Sequence, residues 1–459
     1  MENQRILKSI EEGNLLKGQE KDIVDYLKEH PKTIVILDDD PTGTQTVQNI
    51  PVITNWEEPI LEQELLQSPV FFILTNSRAL QKDKAIALLT LIGRRLKQLA
   101  EKHHKKLLVV NRGDSTLRGH YPDEVIALSK SLGYKNDKHV LIPAFFEGGR
   151  YTCDNIHYVR EGDTFIPAAS TPFAKDNTFG YDASDLTEYA IEKYKGKIDA
   201  TQITSISLNE LRSSPDFSDI KKKIEQHQCI IVNATTHADL ETFALFALKT
   251  NIPLVHRTAA SFVNAIIGKR PAALLEKDAL GKAKGQGGLI VIGSYVPKTT
   301  AQLNVLKAKY KASYMELDVD EIFNDENLNA SLKKKAERID LWLGKGENVV
   351  LYTSRKVKQG STKEDSLAIV NRVSQALTTL VELIGPQPRF IVAKGGITSS
   401  DIAVKSLQIK RAIVIGQLIK GVPVWQADEN SKFPGIPYIV FPGNVGTDND
   451  LYNLLNRLE

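Results

Sequence analysis

The chain has 459 residues, 42% hydrophobic and 25% charged. That is an ordinary globular balance in a chain too long for one core. A formal net charge of +3, with no basic block interleaved with aromatics, excludes an electrostatic case for nucleic acid. Cys153 and Cys229 form neither a metal-ligand spacing nor a disulfide framework. The amino terminus lacks a signal-peptide core, and no run of about 18 apolar residues could cross a membrane. A cytoplasmic two-domain protein is expected.

Residues 3–30 carry Ile6, Leu7, Ile10, Ile23, Val24 and Leu27 at helical spacing, which predicts an amphipathic lead-in helix ending at Pro31. TIVILDDDPTGTQTV (33–47) follows: a β-branched strand running into Asp38, Asp39 and Asp40, then a Pro–Gly turn. Adjacent carboxylates repel and push their pKa values apart. The plain alternative is an acidic, solvated turn. Three more strands end in polar residues: PVFFILTNSRAL (69–80) in Asn76, Ser77 and Arg78, KLLVVNRGDSTLRGHYPDEV (106–125) in Asn111–His120, and HVLIPAFFEGGR (139–150) in Glu147–Arg150. Helices are expected over Asp83–His103 and from Pro122 onward. Strands alternating with helices predict an α/β fold with a parallel sheet, whose carboxyl edge would gather these polar residues.

Thr152–Phe179 reads as loop-rich, either a lid or a long connector. CIIVNAT (229–235) and IPLVHRTAASF (252–262) are further strands, and His237 and His256 are expected to be structural. A Gly- and Lys-rich stretch sets the expected organisation: a first domain over 1–265, a linker over 266–287 and a second domain over 288–459. In the second half, GLIVIGSYVPKTTAQL (288–303), ENVVLYTS (347–354) and RFIVAKGGITSSDIAV (389–404) repeat a strand–turn–helix plan. Further β-type segments and a last helix near Asp448 or Asp450 close the chain.

Gly395–Gly396 lets a backbone approach a ligand, and exposed N–H groups at a helix start favour phosphate. Thr398 and Asp401 have capping-box spacing, which predicts a helix start there. Gly293–Ser294 and Pro442–Gly446 are two more glycine turns, and neither GxxxxGK[ST] nor GxGxxG occurs. In the first half, Arg78, Arg112, Asp114, Ser115, Thr116 and Arg118 suit a small anionic substrate bearing hydroxyls, because Arg pairs bidentately with carboxylate or phosphate. Two enzyme classes fit: a kinase, or a haloacid-dehalogenase-type phosphatase. Asp38-x-Asp40-x-Thr42 fits the phosphatase motif DxDxT, but Arg118 stands where that class needs a Mg²⁺ ligand. A non-catalytic sugar-acid sensor is a third reading.

DDDPTGTQT, TNSRAL and RGDSTLRGH, with AKGGITSSDI and FPGNVG, resemble in order the motifs of the four-carbon acid sugar kinase family. The resemblance implies ATP-dependent phosphorylation of threonate, erythronate or 3-oxo-tetronate. It carries the paired acids onto Asp39 and Asp40, the substrate arginine onto Arg78 and the DSTLR segment onto Asp114–Arg118. Nucleotide contacts fall on Ser294, on Gly395, Gly396, Ile397 and Thr398, and on Gly443. The chain departs from the family pattern at Pro41, and at Ile397, where an acid often stands. Asp39 or Asp40 is then expected to be the base, Asp114 its reserve, and Arg78 and Arg118 the grip on the substrate, with Ser115 and Thr116 beside them. ATP and Mg²⁺ are the expected cofactors, the Mg²⁺ ligands are unassigned, and a homo-oligomer is left open.

Overall fold

In the first half, β-branched runs bounded by polar turns form strands β1 (Thr33–Asp38), β2 (Ile50–Ile53), β3 (Val70–Leu74), β4 (Leu107–Arg112) and β5 (His139–Ile142). They are followed by β6 (Arg150–Cys153), β7 (Ile156–Glu161), β8 (Thr164–Pro167), β9 (Ile203–Ile206), β10 (Cys229–Val232) and β11 (Val255–Thr258). The second half adds β12 (Leu289–Ile292), β13 (Ser313–Leu317), β14 (Val349–Thr353), β15 (Ile391–Lys394), β16 (Arg411–Ile419), β17 (Val422–Ala427) and β18 (Pro437–Phe441). This computed structural model describes residues 2–213, 217–271, 273–281, 285–324, 327–355 and 363–459.

The chain divides into two compact units, one of residues 1–46 and 55–271, the other of 47–54 and 272–459. In the first unit, strands run parallel in the order β3-β1-β4-β11-β5-β10-β9. Ile34, Val35, Ile36 and Leu37 are all 0% exposed, because helices cover both faces of a parallel sheet and leave no polar alternation. The register sets Asp38 opposite Leu74 on one side and Arg112 on the other, and Arg112 opposite Thr258. The carboxyl ends of β1, β3, β4 and β11 therefore share one edge.

In the second unit, β13-β14-β12-β15-β18 are parallel, and β17, β16 and β2 continue the sheet antiparallel. The fold is α/β with largely parallel sheets in both units. A core of Ile290, Ile292, Leu303, Leu306, Val392, Ile439, Phe441 and Leu454 lies beneath the second sheet.

Three local expectations differ from the structure. The lead-in over 3–30 is two helices, Glu2–Asn14 and Glu20–Glu29, parted where the Gln19 amide donates to Glu241 at 2.8 Å. The loop-rich stretch after Arg150 holds a separate antiparallel sheet, β6-β7-β8. Asp154 and Asn155, both at positive φ, form the two-residue turn that a tight hairpin requires. Tyr151, Cys153, Tyr158 and Phe165 from this sheet pack on Ile6. The helix after β15 begins at Gly396, so Thr398 lies inside it. Asp401 accepts from Ser374 and pairs with Lys405 at 2.9 Å, so no capping box forms. Of the expected linker over 266–287, residues 272 and 282–284 lie outside the described residues. Leu275 is buried, and its amide donates to the Gln417 carbonyl at 2.7 Å.

Candidate functional site

The first unit concentrates its chemistry at the sheet's carboxyl edge. Asp38, the last residue of β1, lies 3.2 Å from the Arg112 guanidinium of β4. Burial pushes its carboxyl up to about 7 despite that arginine. Asp39 is 1% exposed and faces Arg257 at 3.7 Å and Arg78 at 4.0 Å. Neither of its carboxylate oxygens has a hydrogen-bond partner among the described residues. Burial raises its pKa against the pull of Arg78 and Arg257. Asp40 is held differently. It accepts from the Thr42 amide at 2.9 Å, from the Thr42 hydroxyl and from Arg78. Burial would raise its pKa, but Arg78 and Thr42 outweigh it and hold the carboxyl below its usual range.

Arg78 sits in a short 3₁₀ turn, Ser77–Ala79, entered through Asn76 at φ 49°. Besides Asp40 it reaches Asp114 at 3.2 Å. Asp114 also accepts from Arg118 Nε at 2.8 Å and from the Thr116 hydroxyl. These cations overcome its burial and hold it well below the carboxylate range. Arg118 extends to Asp176 at 3.8 Å and lies 5.2 Å from the Phe173 ring centre. The loop backbone is pinned by buried side chains. His157 bonds the Ser115 carbonyl at 2.8 Å, Tyr181 the Thr116 carbonyl at 2.9 Å and Tyr189 the Leu117 carbonyl at 2.7 Å. Asp39, Asp40, Arg78, Asp114, Thr116 and Arg118 thus form one connected network, with Ser115 contributing backbone.

Two members of this edge, Arg257 and Glu124, carried no expected role in the sequence. Arg257 bonds Asn111 at 2.6 Å and Glu124 at 3.1 Å. Glu124, in the first turn of helix Asp123–Leu132, accepts from Ser77 at 2.5 Å. Arg112, expected among the substrate-facing residues, is instead buried and paired with Asp38 at 3.2 Å. The VHRT run carried the signal for Arg257: a cation at the end of a buried strand demands a buried acid. His256 is buried, with its pKa lowered to about 4, and contacts the Val109 carbonyl at 3.3 Å. His237 pairs with Glu147 at 3.0 Å.

The second unit holds a cavity of about 240 Å³ over the carboxyl ends of β12, β14 and β15. Its lining includes Ser294, Gly395, Gly396, Ile397 and Thr398, with an apolar wall containing Val319, Val373 and Leu377. The turns meet closely. A Cβ on Gly293 would lie 2.3 Å from Thr398 Oγ1, and one on Gly395, at φ 119°, 2.8 Å from Ser294 Cβ. Gly443 packs over Ser294, a Cβ there falling 3.1 Å from its hydroxyl. Thr299 bonds the Gly443 carbonyl at 3.0 Å. Two cations brace these turns, and the sequence reading assigned neither. Arg355 donates to the Ser294 carbonyl at 2.7 Å and the Thr353 carbonyl at 2.6 Å. Lys394 donates to the carbonyls of Pro442 at 2.6 Å and Gly443 at 3.2 Å, over the Phe441 ring. Burial lowers its pKa to about 7. Among the described residues, no group of three His, Cys, Asp or Glu could hold a metal ion. No helix there is long and apolar enough to cross a membrane.

Residues 34–266 match a family model described as a sugar-binding N-terminal domain, and residues 289–451 one described as a nucleotide-binding C-terminal domain. The chain is 24% identical over 360 residues to a D-erythronate kinase of Heliobacterium modesticaldum, covering 76% of this chain and 75% of that protein. A Haemophilus influenzae structure aligns with a TM-score of 0.62 at 17% identity, over 93% of this chain and 100% of that one. A Salmonella typhimurium structure described as a tRNA synthase aligns at 0.66 and 17%, over 93% and 98%; likeness at this identity speaks for the fold alone. The acid–arginine edge falls within the sugar-binding match and the glycine cradle within the nucleotide-binding match, in the order of the motifs. The chain belongs to the four-carbon acid sugar kinase family and is a phosphotransferase acting on an alcohol group.

Proposed function

We propose that the protein transfers the γ-phosphoryl group of ATP to a hydroxyl of a four-carbon sugar acid of the erythronate, threonate or 3-oxo-tetronate type. The observation that carries the reading is the Asp39 carboxylate, without a hydrogen-bond partner among the described residues, beside a network in which arginines hold Asp40 and Asp114. A base must bind a proton near working pH. Asp39 has a raised pKa, whereas the two other candidates are held ionised and occupied. In this mechanism the substrate hydroxyl oxygen attacks the γ-phosphorus and the bond to the β-phosphate oxygen breaks. Asp39 takes the hydroxyl proton, and ADP leaves. Arg78 and Arg118 orient the acid, Asp40 and Asp114 hold those arginines in place, and Ser115 and Thr116 shape the loop.

The cradle of Gly293, Ser294, Gly395, Gly396, Thr398 and Gly443 suits ATP, because Cβ atoms at Gly293, Gly395 and Gly443 would crowd Ser294 and Thr398 and force these turns apart. Ile397 and the apolar wall suit the base. ATP supplies the phosphoryl group when bound. Mg²⁺ has no cage of carboxylates among the described residues, so it would enter on the ATP phosphates. An ATP-using reaction of this kind belongs in the cytoplasm.

The phosphatase alternative would need Asp38 as nucleophile, yet Asp38 Oδ1 is engaged by Arg112 at 3.2 Å and by the Asp40 amide at 3.3 Å. A coupled ADP assay over a panel of four-carbon acids tests the kinase reading. ADP formation that requires both acid and Mg²⁺ is expected. Acid binding with no ADP across the panel refutes it in favour of the sensor.

A further inference from the structure

The arginines at the first unit's carboxyl edge are not equivalent. Arg112 faces Asp38 at 3.2 Å, Arg257 faces Glu124 at 3.1 Å, Arg78 faces Asp114 at 3.2 Å and Arg118 faces Asp114 at 2.8 Å. Arg150, the first residue of β6, has no carboxylate within 4.0 Å among the described residues. Its guanidinium bonds the Gly148 carbonyl, and its buried Nε has no partner among the described residues. Its centre lies 5.6 Å from the Phe173 ring centre, the same ring on which Arg118 rests at 5.2 Å. Two guanidinium groups therefore converge on one aromatic ring, and among the described residues acids lie close to Arg118 alone, Asp114 at 2.8 Å and Asp176 at 3.8 Å.

A guanidinium stays charged in a protein. Burial without a counter-ion is costly, and a bound anion removes that cost. Burial and the neighbouring Arg118 disfavour the charge on Arg150, with Asp114 opposing them. The terminal nitrogens of a planar fork suit a carboxylate, which accepts two parallel bonds. The hairpin sheet β6-β7-β8 gives the fork a firm base, since Arg150 is paired with Val159 across it.

We propose that Arg150 and Arg118, gathered on Phe173, seat the carboxylate of the sugar acid, and that Arg150 makes the enzyme prefer an acid to a neutral polyol. This rests on the sugar-acid reading above. It adds a specificity-determining residue that lies outside the TNSRAL and RGDSTLRGH motifs.

The test is calorimetric binding of D-erythronate, D-threonate and erythritol, without ATP, to the wild type, R150Q and R150K, with ADP affinity, thermal midpoint and ADP formation measured in parallel. R150Q is expected to weaken acid binding at least about tenfold, the range for a lost hydrogen bond to a charged group. Erythritol binding, ADP affinity and thermal midpoint stay at wild-type values, and R150K recovers part of the acid affinity. Equal acid affinity in R150Q and wild type overturns the proposal. So does a parallel loss of acid and erythritol binding with a lowered midpoint, which would mark a structural arginine. Arg150-dependent acid binding without ADP formation upholds the seat and refutes the kinase reading. A wild type that binds neither acid refutes both.

Discussion

Gly43 lies so close to Asp38 that a Cβ added to it would fall 1.8 Å from Asp38 Oδ2. The turn after β1 therefore closes directly over the first of the three acids. The Asp40 amide, 3.3 Å from Asp38 Oδ1, folds back on the same carboxylate. Gly43→Ala would push Asp38 off Arg112 inside a site with no room to yield. A loss of about 2–4 kcal/mol is expected, from overpacking and a broken buried pair. Urea unfolding checks it, and a variant as stable as wild type would show that the turn can open freely.

Asp39→Asn keeps the shape of the side chain and removes the proposed base. Turnover should fall about 10²-fold or more with the acid's KM little changed. Asp40→Asn should act otherwise. It loosens Arg78, which Asp40 holds together with Asp114, so its main effect should be a raised KM for the acid. Steady-state kinetics separate the two. A normal kcat in Asp39→Asn would move the base elsewhere.

Much of this site was legible in the sequence because strand-end polarity is a local signal. DDD, TNSR and RGDSTLR each follow an apolar run, and parallel strands must bring such ends together. What was not legible came from contacts distant in sequence. Nothing around Arg150 announces that Phe173 will lie beneath it. The Asp154–Asn155 turn was a readable hairpin signal, but the surrounding glycines and prolines argued for loop. Residues 47–54 belong to the second unit through pairing of β2 with β16, more than 350 residues away along the chain. Thr398 and Asp401 had the spacing of a cap, yet the backbone starts its helix at Gly396, where Gly395 supplies the positive φ.

Two groups should give opposite pH dependences of stability. Asp38 has its folded pKa raised from 3.8 to about 7, so between those values the folded state binds a proton that the unfolded state has released. Its contribution is greatest at low pH and is lost as pH rises through about 7. Lys394 has its folded pKa lowered from 10.5 to about 7, so the unfolded state binds the extra proton and stability rises with pH across that window. Urea unfolding of Asp38→Asn and Lys394→Met from pH 5 to 9, each against wild type, should show differences of opposite slope. Parallel curves for either pair would mean that the group does not titrate in that range.

Gly395 is a position at which the proposed nucleotide cradle has little freedom to change. Its φ of 119° is one that side chains rarely adopt, and a Cβ there would meet Ser294 Cβ at 2.8 Å. Ser294 cannot retreat easily. Arg355 holds its carbonyl at 2.7 Å, and Thr299 reaches its hydroxyl at 3.3 Å. Gly395→Ala should therefore shift the whole turn and raise the KM for ATP by about tenfold or more, the cost of backbone strain of this kind. Acid binding measured without ATP should stay at the wild-type value, because every residue assigned to it lies in the first unit. Isothermal titration with ADP and with D-erythronate reads both effects from one protein sample. ADP affinity unchanged by Gly395→Ala would remove the glycine turn from the nucleotide site, and acid affinity lost with it would mean that the variant fails to fold.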